Sequence, residues 1–140
     1  MTSMPAAIVA LGLAVLALLG GCRSSSNAEL RAAVADGVSE LSGSWNGERL
    51  RDRLRQTIAR VRSVHVPADD DRAQRLALRG FTAMLQGVES RIAFARNDSG
   101  NIEAATRDAR RADRWFKAGA ALLRAAGREL GVDVGRLKGY

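Results

Sequence analysis

The stretch IEAATRDARRADRWFKAGAALLRAAGREL, residues 102–130, carries the most regular apolar repeat in the chain. Ile102, Ala109, Phe116, Leu123 and Leu130 recur every seven residues, with Ala105, Ala112, Gly119 and Ala126 falling between them. Alternating steps of three and four place all of these on one face of an α-helix. Gly131 follows at once and supplies the stop. Because large and small side chains alternate on that face, a neighbouring backbone can approach closely. Gly80 and Gly87, upstream, are the predicted counterparts.

Working backwards, Asn97-Asp98-Ser99-Gly100-Asn101 is a compact polar turn, short enough to make the helices on either side antiparallel neighbours. The preceding helix opens at Asp69-Asp70-Asp71, where carboxylates cap the first turn and complement the helix dipole. Its main predicted stripe is Leu78, Phe81, Leu85, Val88, Ile92 and Ala95, with a second arc of Ala73, Ala77, Gly80, Met84 and Gly87 beside it. One neighbour cannot cover so broad an apolar surface, so this helix should be central. Asn46 is placed to cap an earlier helix with Leu50, Leu54, Ile58 and Val61 inward, ended by Pro67. The first helix is expected to begin near Asn27, with Leu30, Val34, Gly37, Val38 and Leu41 forming a narrow stripe that Ser42-Gly43-Ser44 stops.

Short connections between amphipathic helices predict an all-α fold, an antiparallel up-down bundle of about four helices dominated by the hairpin of the third and fourth. The bundle domain should span residues 28–131, with a loosely held tail at 132–140. A chain of 140 residues has room for one modest core.

The net charge is +7, and of 22 basic residues only Lys117 and Lys138 are lysine. An anionic partner follows from that excess. The arginine bias, together with many alanines and glycines, is also what a genome rich in G and C produces.

At the other end, every residue from Ala6 to Leu19 is apolar or glycine. As a helix this run would extend only ~21 Å, short of the about 20 residues that a bilayer core requires. It fits the apolar core of a signal peptide. Leu19-Gly20-Gly21-Cys22 closes the run and holds the single cysteine. These residues resemble the lipobox of bacterial lipoproteins. The resemblance implies cleavage before Cys22, so that residues 1–21 are a signal peptide, and a diacylglycerol and an acyl chain such as palmitate attached to Cys22. It further implies an exported, membrane-anchored protein. Met1 to Pro5 departs from the pattern in having neither Lys nor Arg. Residues 22–27 would then be a lipidated cysteine and a polar tether, with Arg23 to Asn27 reaching at most ~18 Å when extended.

Chemistry-bearing motifs are scarce. His65 is the only histidine, no thiol would remain once Cys22 is acylated, and neither G-x-S-x-G nor a phosphate-cradling glycine loop occurs. A metal site from His65 and Asp69 to Asp71 competes with the capping role of those carboxylates. The expectation is a non-enzymatic protein without cofactor or metal. Trp115, with Leu122 and Ala104 on the same side, either widens the packed surface or forms a groove for a partner helix, and Trp45 is equally open.

The candidate surface for an anionic partner is Arg107, Arg110, Arg114, Lys117, Arg124 and Arg128, opposite the apolar stripe. The arginines of the second helix add to it, and Asp108, Asp113 and Glu129 interrupt it. Export would separate the chain from nucleic acid, leaving anionic lipid, acidic wall polymers or a protein as partners. The alternative is a receptor for a small molecule or ion between the helices, with Ala105, Ala112 and Gly119 lining the space.

Overall fold

The computed structural model describes residues 13–43, 46–68, 71–97, 100–135 and 137, with side chains from Asn27 onward. Within them the helices are α1 (Leu13–Leu41), α2 (Gly47–Ser63), α3 (Asp71–Ala95) and α4 (Ile102–Leu130). The fold is an all-α antiparallel bundle in which the α3/α4 hairpin has by far the largest interface, α2 lies against α3, and α1 packs chiefly on α2. Contacts fix the directions. Gly80 faces Leu123, Met84 faces Gly119 and Gly87 faces Phe116, so numbers rise on α3 as they fall on α4. In the same way Arg55 reaches Glu89 and Arg96 reaches Glu48 between α2 and α3. Arg53 and Arg60 of α2 reach Glu40 and Asp36 of α1. One end of the bundle therefore collects the starts of α1 and α3 with the ends of α2 and α4.

The α3/α4 contact is built on absent side chains. A Cβ placed at Gly80 would lie 2.8 Å from Leu123 Cγ, and one at Gly87 would lie 2.6 Å from the Phe116 ring. A Cβ at Gly119 would lie 3.0 Å from the carbonyl oxygen of Gly80. The glycines predicted as counterparts of the alternating stripe are thus where the two backbones come closest. This close approach also decides which row of α3 is the core. Ala73, Ala77, Met84 and the two glycines, the arc expected to be secondary, are buried, as are Phe81, whose ring packs against Gly37 of α1, and Val88. Leu78, Leu85 and Ile92 of the expected main stripe are only partly buried, and Ala95 is exposed, because the 17-residue α2 covers that side incompletely.

Three further expectations are corrected. Helix α1 is a single helix of 29 residues, Leu13–Leu41, so it starts well before the expected position near Asn27 and residues 22–27 follow a helical path. No proline lies between Leu13 and Leu41, and consecutive serines cost a helix only about half a kcal/mol each. Ile102 heads the seven-residue repeat yet is 81% exposed. It sits in the first turn of α4, and α1, which could have covered it, barely meets α4. The tail is held where it leaves the bundle. Gly131 takes φ 65° and its N–H and that of Val132 both donate to the carbonyl of Gly127, turning the chain so that Val134 and Leu137 are buried. Among the described residues no helix is long and apolar enough to cross a membrane.

The caps follow the sequence closely. Asn46 Oδ1 accepts from Arg49 N at 3.1 Å and Asn101 Oδ1 accepts from Ala104 N at 3.0 Å. At the far end of α2 the Gln74 side-chain amide donates to the carbonyls of Val61 and Val64, joining the orphaned end of α2 to α3. Asn46→Ala and Asn101→Ala should each cost about 1 kcal/mol of stability in urea unfolding. A loss within error for both would show that the amide oxygens do not cap these helices.

Candidate functional site

No polar or charged side chain is buried among the described residues, so chemistry belongs to the surface. Two of the three small residues expected to line a receptor cavity, Ala112 and Gly119, are packed in the core. Gly119 rests directly on Gly80 and Met84 of α3, and Ala112 is fully buried in the core cluster. Their small size brings two helices together, which takes away the reason for expecting a ligand space there. His65 is exposed; Asp71 pairs with Arg75, and Asp69 and Asp70 lie outside the described residues.

The basic residues divide into two groups with different fates. On α2, Arg51 bonds Glu48 at 2.8 Å, Arg53 reaches Glu40, Arg55 reaches Glu89 at 3.1 Å and Arg60 reaches Asp36 at 2.8 Å. Three of these pairs cross to α1 or α3, so half of the six α2 arginines tie helices together and do not extend a basic field. On α4 the reverse holds. Arg107, Arg110, Arg114, Lys117, Arg124 and Arg128 are all exposed, and among the described residues only Arg107 has a carboxylate partner, Glu103 at 3.1 Å. The acids expected to interrupt them mostly turn away. Asp113 faces Arg91 of α3 at 3.8 Å, Glu129 bonds Arg72 of α3 at 3.0 Å, and Asp108 is half-buried.

The geometry of α4 makes this a row. The six positions step by three or four, apart from one gap filled by Ala121, and extend over about 32 Å of helix. Like charges along one helix face repel by a few tenths of a kcal/mol per pair. Such a row gains when an anion lies along it. Beside it, Gln86 of α3 and Arg111, Arg114, Trp115 and Ala118 of α4 line an open groove of about 540 Å³. Trp115 is 39% exposed there and is not a core residue. Leu122 and Ala104, grouped with Trp115 by helical spacing, are half-buried and do not line that groove.

Gln86 and Arg111 were not anticipated as part of this surface. Arg111 lies four residues before Trp115 and seven before Ala118, a spacing that marks it in hindsight. Gln86 comes from α3, and only the register of the hairpin brings it to Trp115. Leu19, Gly20, Gly21 and Cys22 fall in the part of α1 whose side chains lie outside the described residues, and Trp45, Arg136 and Lys138 lie outside the described residues altogether. Compared with known proteins, the chain matches no family model, no curated sequence and no solved structure.

Proposed function

We propose that this chain is a lipid-anchored, extracytoplasmic helical module that binds an anionic partner at the cell envelope through the outer face of α4, without catalysis. The observation that carries the binding element is the contrast between the two basic helices. The α2 arginines are largely neutralised by carboxylates of the bundle, whereas from Arg110 to Arg128 the α4 row has no carboxylate partner among the described residues. A bias of the genome toward arginine would load both helices alike and would not sort their partners.

The anchor element rests on the resemblance of Leu19-Gly20-Gly21-Cys22 to a lipobox. A helical path for Arg23 to Asn27 gives a reach of ~8 Å, against ~18 Å for the same residues extended. The bundle would then stand close to the bilayer, with the start of α1 and the end of α4 nearest to it.

Mass spectrometry of the membrane fraction tests the anchor. The expected product begins at Cys22 and carries diacylglycerol on sulfur and an acyl chain on nitrogen. Cys22→Ala should lose palmitate labelling and leave the membrane fraction. A retained leader, or an unmodified Cys22 thiol in membrane-bound protein, would sink the anchor.

A further inference from the structure

We infer that the outer face of α4 is the docking surface for an amphipathic helix with acidic edges, supplied by another protein, which lies along α4 and inserts an apolar side chain beside Trp115. This rests on the reading of the α4 face as a binding surface and names its partner. The chemistry comes from two features that run side by side. Arg110, Arg114, Lys117, Arg124 and Arg128 offer cations at steps of three, four or seven, the spacing at which a second helix presents carboxylates along one of its edges. Next to them the groove at Gln86, Trp115 and Ala118 offers an apolar wall and floor with Arg111 and Arg114 at its rim. An exposed aromatic residue flanked by two arginines is a composition that anchors protein partners.

Other occupants fit less well. A second copy would set the α4 cation row against another cation row, which repels. A bilayer surface fails on distance for a bundle that stands upright on its anchor. The row runs along the bundle axis from Arg128, at the end where α1 starts, to Arg107 about 32 Å away. With the anchor at that end, the charge of anionic headgroups is screened within about 8–10 Å. Lipid could therefore reach Arg128 and Arg124 but not Arg114 or Arg110. A phosphate polymer would satisfy the charges but has nothing to place against Trp115. A helix with apolar and acidic residues on adjoining rows uses both features.

The test uses the full purified chain in mild detergent and a fluorescently labelled synthetic helical peptide carrying leucines on one row and glutamates on the flanking rows. The same peptide with lysines in place of glutamates is the control. The acidic peptide should bind and the basic one should not. Arg114→Glu combined with Lys117→Glu should weaken the acidic peptide by about tenfold or more and allow the basic peptide to bind. Trp115→Ala should weaken it by about tenfold. Both replaced cations are exposed and lack carboxylate partners, so thermal unfolding of that variant should match the parent, which separates lost binding from lost folding. Equal binding of the two peptides, or indifference to Trp115→Ala, would overturn the docking surface. Tighter binding of phosphatidylglycerol vesicles or soluble polyphosphate than of the acidic peptide would overturn it too. A missing lipid on Cys22 would remove the anchor and leave this result untouched, while failure of the acidic peptide to bind would leave the anchor standing.

Discussion

Replacing Phe116 with alanine should remove about 3–5 kcal/mol of folding stability, the range for emptying a buried aromatic site. The loss should lie toward the upper end. Phe116 is buried, and its ring covers Gly87, so the residue facing the new cavity has no side chain to swing into it. Arg91, whose guanidinium carbon stands 5.8 Å from the ring centroid, loses its aromatic partner as well. The reciprocal change makes the contact identifiable. Gly87→Ala alone should destabilise, because its Cβ would meet the ring at 2.6 Å. In the Phe116→Ala background the same methyl enters vacated space and should recover part of the loss. Urea unfolding of the two single variants and the double variant should show favourable coupling of about 1 kcal/mol or more. Strict additivity would mean that the ring does not lie on Gly87.

That Gly80 and Gly87 face the large-and-small stripe of α4 was visible in the sequence because two periodic faces, one alternating large with small and one broad with glycines, have few ways to fit each other. The same reasoning failed where the answer depended on a third body. Nothing in the repeat of α4 marks Ile102 as exposed, since its exposure comes from how little α1 meets α4. The ranking of the two rows of α3 inverted for a related reason. A row of large side chains looks like a core from its composition. Burial, however, follows the closeness of the neighbour, and Gly80 and Gly87 let α4 approach closest, while Phe81 and Val88 of the large-residue row stay buried. Val134 and Leu137 were read as a loose tail because periodicity says nothing about a chain that Gly131 turns back on itself.

For the candidate surface, residue identity was legible but charge state of the surroundings was not. Arg107 to Arg128 could be placed on the outer face of α4 by spacing alone. Whether Asp113 and Glu129 quench them depends on Arg91 and Arg72, which are far away in sequence and reach α4 only through the hairpin register. The arginines of α2 make the complementary case. They looked equally available, and their capture by Glu40, Asp36 and Glu89 could not be seen before the helices were paired.

At Gly119 the obstacle is backbone, which changes what a substitution can do. A Cβ there would lie 3.0 Å from the Gly80 carbonyl oxygen and 3.1 Å from Met84 N. A ring or a leucine can rotate away, but these atoms move only if α3 moves. Gly119→Ala sets an overpacking cost of about 1–3 kcal/mol against the roughly 1 kcal/mol by which alanine is the better helix former. A loss of no more than about 2 kcal/mol is expected. Gly119→Leu adds three more carbons to the same contact with almost no further gain in propensity, so it should lose about 3 kcal/mol or more. No single change on α3 should rescue it fully, because trimming Met84, whose Cγ also lies 3.0 Å away, leaves the Gly80 carbonyl and the Met84 N in place. The two glycine sites are therefore distinguishable by experiment: a second-site change recovers stability at Gly87 and leaves the backbone in the way at Gly119. Wild-type unfolding of Gly119→Leu would show that the backbones are not in contact. The groove beside Trp115 depends on this contact too, since Gln86 reaches it from α3 and the other lining residues from α4. Pushing the helices apart should weaken binding of the acidic peptide even though Gly119 is buried and touches no partner.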